Sequence, residues 1–191
     1  MSKRPRLLGD PIDPDEEKEM IAAILAPDDN PITGPIKRAG LLVQLGRTHD
    51  EKYVPIIERF KHSRDPDIYG AYIGCMVRYY DRVDDHIEAV KELVRGVPWD
   101  DSDLRLLGLH LSHYVFLDRV DKELLQLVLE AFDGARDDYG PFRQASYNAM
   151  VTALGVDWKI LPSTERTALE KVIDDEIVEQ VRRAARWRTS L

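Results

Sequence analysis

The sequence predicts an all-α fold: an α-solenoid of about four stacked helix pairs, closed by a C-terminal helix. Three observations predict it. Apolar residues recur at helical spacing along the chain, and no alternating strand pattern of any length appears. A short motif, an apolar anchor that opens a helix with a small residue soon after, occurs four times. It is carried by Ile36 and Ala39, Ile68 and Ala71, Leu104 and Gly108, and Phe142 and Ala145. The anchors lie 32, 36 and 38 residues apart, and self-similarity at that period marks a helical repeat array. Finally, Asp81-Arg82-Val83-Asp84 is echoed 37 residues later by Asp118-Arg119-Val120-Asp121.

The elements follow in order. Residues 1–12 form a loose leader containing Lys3, Arg4 and Arg6, and residues 13–191 read as one domain. Asp13-Pro14 opens the first helix, with Asp15, Glu16 and Glu17 at the positive end of its dipole. Its partner runs from Gly34-Pro35 to Gly46, completing a repeat at 13–46. Asp50 caps the next helix, which Pro55 should bend, and Asp65-Pro66 starts its partner, giving 50–80. The third repeat spans 84–117, with Ile87, Val90, Leu93 and Val94 apolar in its first helix, and the fourth spans 121–155. Leu169, Val172, Ile173, Ile177 and Val181 set an amphipathic cap over 163–188, either one long helix or a degenerate fifth repeat broken near Asp174-Asp175.

This pattern resembles the HEAT-repeat family over about residues 14–155. In that family the first helix often carries a proline, as Pro55 does here, and the second often opens Asp-x-x-apolar-cation-x-x-Ala. Ile36-Lys37, Leu104-Arg105 and Phe142-Arg143 match the apolar-cation step, whereas the second repeat has Tyr69 in place of the cation. The resemblance implies a right-handed solenoid of four HEAT-like pairs. It implies little about activity, because such scaffolds serve many functions.

Composition narrows the classes. With 191 residues, 43 % apolar and 32 % charged, the chain can bury a substantial core. A net charge of −8 argues against a general nucleic-acid binder and favours a basic protein or peptide partner. No apolar run suggests a signal peptide or a membrane span, and the lone Cys75 forms no internal disulfide, so the expected location is cytoplasmic. His110 and His113 stand three apart without an obvious third ligand, and Asp81, Asp84, Asp85 and His86 lack a calcium-loop pattern, so no metal or cofactor is expected. Cys75, among Ile73, Met76 and Val77, reads as a buried, inert thiol.

Two surfaces remain as candidates for binding. The turns within pairs stack on one rim and place Asp28 and Asp29, Trp99 with Asp100, Asp101 and Asp103, and Asp137, Asp138 and Tyr139 along it. Aspartates cap helices routinely, but aromatic residues amid carboxylates also suit an anchor for a basic partner. The second helices should line the concave face, with Lys37, Tyr69, Arg105 and Arg143 on one ladder and Tyr147 one turn beyond Arg143. The expectation is a non-catalytic binding module, such as an adaptor or a bacterial immunity protein against a basic toxin. The alternatives are an enzyme on the same scaffold, DNA glycosylase-like or bilin lyase-like, and a structural scaffold or homo-oligomerisation module.

Overall fold

Proline has no N–H to lose at the first position of a helix, and a preceding aspartate can accept the next orphan donors. The computed structural model uses this device twice. Asp13 accepts from the N–H groups of Asp15 and Glu16 and starts α1 (Pro14–Ile24). Asp65 accepts from the N–H of Ile68 at 3.1 Å and starts α4 (Pro66–Arg78). Asp121 caps α7 (Lys122–Gly134) in the same way, through the N–H of Leu124 at 2.8 Å. The structure describes residues 11–27, 34–100, 103–135, 140–155 and 175–186, and among them it is all helical, with no strand.

The remaining elements are α2 (Pro35–Gly46), α3 (Val54–Ile57), α5 (Val83–Arg95), α6 (Asp103–Asp118), α8 (Pro141–Ala153) and α9 (Asp175–Arg186). The expected helix from Asp50 to about His62 is three pieces rather than one bent rod. Glu51–Tyr53 and Glu58–Phe60 are 3₁₀ turns on either side of α3. Pro55 cannot donate the bond that would continue an α-helix from Glu51, so the chain tightens instead. Of the expected cap, residues 163–174 and 187–188 lie outside the described residues, and α9 begins at Asp175.

The chain divides into two compact units, residues 1–86 and 87–191. In the first, α2 packs on α1, α3 and α4, and the core gathers Met20, Ile24, Leu42, Leu45, Ile57 and Ile73. Gly46 lets α2 and α4 meet closely, because a Cβ there would lie 2.6 Å from Cys75 Sγ. Cys75 is fully buried, and burial pushes its thiol up to about 12.

In the second unit, α6 packs on α7 and α8, and α9 packs on α7 and α8 through Ile177, Val178 and Val181. α6 is covered on several sides, burying Leu104, Leu109, Leu111, Ser112, Val115 and Phe116. Ser112 satisfies its hydroxyl on the Gly108 carbonyl at 2.8 Å. Gly108 takes the place of the small residue that Ala71 and Ala145 supply elsewhere, one position later than in their motifs. A Cβ at Gly108 would lie 2.7 Å from Leu93 Cβ and 2.9 Å from the Val94 nitrogen. Backbone cannot yield as a flexible side chain can, so Gly108→Ala is expected to cost about 1–3 kcal/mol, read as a lower urea midpoint at unchanged slope. Gly46→Ala meets the fully buried Cys75 side chain and the Tyr79 ring and should lower the midpoint by a similar amount.

Candidate functional site

A cation near the end of a helix can bind the carbonyls left without partners there. Three arginines on second helices reach back to the end of the first helix of their own pair. Arg38 donates through Nη2 to the Ala26 carbonyl at 2.7 Å and to that of Pro27 at 3.3 Å. Arg105 donates through Nε to the Val94 carbonyl at 3.1 Å. The Arg143 guanidinium lies 4.7 Å from the centre of the Phe132 ring. Ala26, Val94 and Phe132 each stand ten residues before their pair's apolar anchor.

These contacts revise the reading of the ladder. Arg105 and Arg143 are half-buried and engaged within their own pairs, and Tyr147 is a core residue with 1 % of its surface exposed. Lys37 is exposed, and the buried cation of the first pair is its neighbour Arg38. Tyr69 is half-buried, with its ring 6.1 Å from that of Tyr72. Arg38 was missed in sequence because the motif put the cation one place earlier. Its register becomes visible only once the end of α1 is located.

First helices and the segments that lead into them are joined by charge. In the first unit, Lys52 lies 3.0 Å from Glu17 and Arg82 lies 2.8 Å from Glu51. In the second, Lys91 meets Glu88 at 2.8 Å, Glu123 at 2.9 Å and Asp121 at 3.4 Å, and Arg95 also pairs with Glu123. Lys91 is 4 % exposed, yet Glu88 and Glu123 face solvent, so water screens much of the cluster. Asp133 binds Arg182 of α9 at 2.6 Å.

His86 is also enclosed. Its Nδ1 lies 2.8 Å from the Arg82 carbonyl, so that nitrogen carries the proton, and a neutral ring accepts from the Tyr72 hydroxyl at Nε2, 2.8 Å away. The sequence had grouped His86 with Asp81, Asp84 and Asp85, but its ring turns inward while the three carboxylates are exposed. His113 Nδ1 lies 2.6 Å from Thr152 Oγ1 and His110 is exposed. Among the described residues, no group of three His, Cys, Asp or Glu side chains gathers to hold a metal ion. No helix among them is long and apolar enough to cross a membrane.

On the proposed acidic rim, Asp100 Oδ2 accepts from the N–H of Leu104 at 2.8 Å and so caps α6. Asp103 is exposed, and Trp99 is half-buried just before the cap. Asp28, Asp29, Asp101, Asp137, Asp138 and Tyr139 lie outside the described residues. The turn of the second pair carries cations instead. A cleft of about 600 Å³ opens there, with Arg38, Arg59 and Arg64 in its lining and His62 beside them.

No protein-family model matches the chain, and neither a curated protein nor a solved structure matches it.

The Lys91 cluster sets a pH dependence. Burial alone would lower the Lys91 ammonium, but bonds to Glu88 and Glu123 outweigh that and hold it above its ordinary 10.5. This contribution is complete below about pH 10.5 and fades as pH rises through the raised folded value. The bond from Lys91 holds Glu123 below its ordinary 4.5, so its contribution is complete above that pH and fades as pH falls through the depressed folded value. Lys91→Met should therefore lower the urea midpoint at pH 7 and flatten the loss of stability on acidification below about pH 4.5. Urea unfolding of both proteins from pH 3 to 8 checks this, and parallel pH profiles would show that the cluster contributes nothing.

Proposed function

We propose that this chain is a non-catalytic protein-binding module, a HEAT-like α-solenoid that holds a basic protein or peptide against its acidic rim. Several features support the solenoid reading. Helix pairs follow the sequence period, second helices pack on second helices in α2 with α4 and α6 with α8, and salt bridges join successive first helices. Net charge favours a cationic partner, and charge summed along a rim speeds encounter with one. The size and acidity of the chain suit an adaptor or an immunity protein that covers a basic toxin.

The observation that carries the reading is the corner before α6. Asp100 is committed to the helix cap, whereas Asp103, at the start of α6, has an exposed carboxylate, and Trp99 just before the cap is half-buried. An aromatic ring can stack on the stem of a lysine or arginine, and an exposed carboxylate in the same corner attracts its cationic head.

A lysine- and arginine-rich peptide titrated into ¹⁵N-labelled protein should shift the Trp99 indole N–H and the amides of the first turn of α6. Asp103→Lys should weaken binding by roughly tenfold at low salt, and the difference should shrink in about 0.5 M salt as charges are screened. Asp100→Asn keeps an acceptor for the cap, so it separates lost charge from lost helix. Shifts confined to other regions, or affinity indifferent to salt, would remove the rim from the proposal.

A further inference from the structure

The cleft in the first unit has a charge opposite to that of the chain as a whole. The protein carries −8, yet among the described residues the cleft is lined by three arginines and a histidine against one carboxylate, Asp65. That carboxylate is already occupied, with Oδ1 accepting from the N–H of Ile68 at the start of α4. Arg59 and Arg64 are exposed, and among the described residues no carboxylate lies within ion-pair distance of either. Arg38 differs from them: it is 3 % exposed, and its Nη2 is held on the Ala26 and Pro27 carbonyls. The remaining wall is partly apolar, with Phe60 half-buried and Ile68 5 % exposed.

The geometry points to a binding site for a small organic dianion, a phosphate monoester or a dicarboxylate carried on an apolar or aromatic body. Guanidinium forks match the paired oxygens of either head group and bind them bidentately. The buried Arg38 supplies a fixed positive field at the cleft, while Arg59 and Arg64 are long enough to close on the head group from solvent. Phe60 and Ile68 offer a surface for the body of the ligand. A volume of about 600 Å³ falls within the range of small-molecule sites and is too short a track for a polymeric anion. The site opens at the turn of the second pair, where Tyr69 stands at the position from which Arg105 and Arg143 reach back over the first helix in the third and fourth pairs.

Calorimetric titration of the full chain with phenyl phosphate, phthalate and inorganic phosphate tests this. At least one of the two aromatic dianions should bind about tenfold or more tightly than inorganic phosphate, and the better one identifies the head group. Arg59→Gln and Arg64→Gln should each weaken that ligand by about tenfold, the loss of one charge-assisted contact, without changing the Tm. Phe60→Ala should erase the preference for an aromatic body. Asp103→Lys should leave this binding unchanged, so failure here and failure of the acidic-rim reading are separately visible. Equal affinity for all three anions, or affinity unchanged in both arginine variants, would reduce the cleft to an adventitious ion site only. Preference for heparin over every small anion would also overturn the proposal, in favour of a surface for extended polyanions.

Discussion

Every helix pair has to close over the C-terminal end of its first helix, where carbonyls have run out of partners. Two pairs here use an arginine from the second helix to bind those carbonyls, and a third lays one over an aromatic ring at the same end. Arg38 binds the carbonyls just after α1, Arg105 binds that of Val94, and Arg143 covers the Phe132 ring. The arginine also carries positive charge to the negative end of the first helix dipole. It works only if the two helices approach closely, and Gly108 shows how close the third pair comes. Helix contact and arginine closure are thus linked in the third pair, where Gly108 and Arg105 both face the end of α5.

That coupling explains what was legible in the sequence. The helix pairs and most of their boundaries could be read, because caps such as Asp65-Pro66 and the returning anchors are local signals. The break around Pro55 was legible as a disturbance but not as two 3₁₀ turns, since one missing donor permits either a bend or a tightening. The role of the cations was not legible. An arginine one place after an apolar anchor can face a neighbouring pair, a ligand or its own first helix, and periodicity alone does not choose. Tyr147 shows the same limit: it shares a helix face with Arg143, but packing makes that face interior.

Charge shows a different limit. A total of −8 is a property of the whole sequence, and it directed attention to aspartate-rich turns. The folded first unit instead gathers Arg59, His62 and Arg64 from one turn beside Arg38 from another helix. Spread along the sequence, the arginines are outnumbered by carboxylates. Brought to one cleft, they face, among the described residues, one aspartate whose oxygen is already a helix cap. Many of the carboxylates that dominate the count are also engaged. Glu17, Glu51 and Glu123 form ion pairs between first helices, Asp133 holds α9, and Asp100 caps α6. The charge left to meet a partner is the remainder after these internal uses, and it is distributed quite differently from the composition.

The second pair is where these threads meet. It has Tyr69 where the third and fourth pairs have arginine, its first helix is broken by Pro55, and its within-pair turn carries uncommitted cations. Each departure alone would read as drift in a repeat. Together they leave the end of that first helix without an arginine from its own partner, and the basic cleft opens at that end. Local departures from regular packing that fall at one place cost stability together, which makes that place the first to test for a role other than packing. The dianion site proposed above lies there, at the turn between the broken first helix and α4.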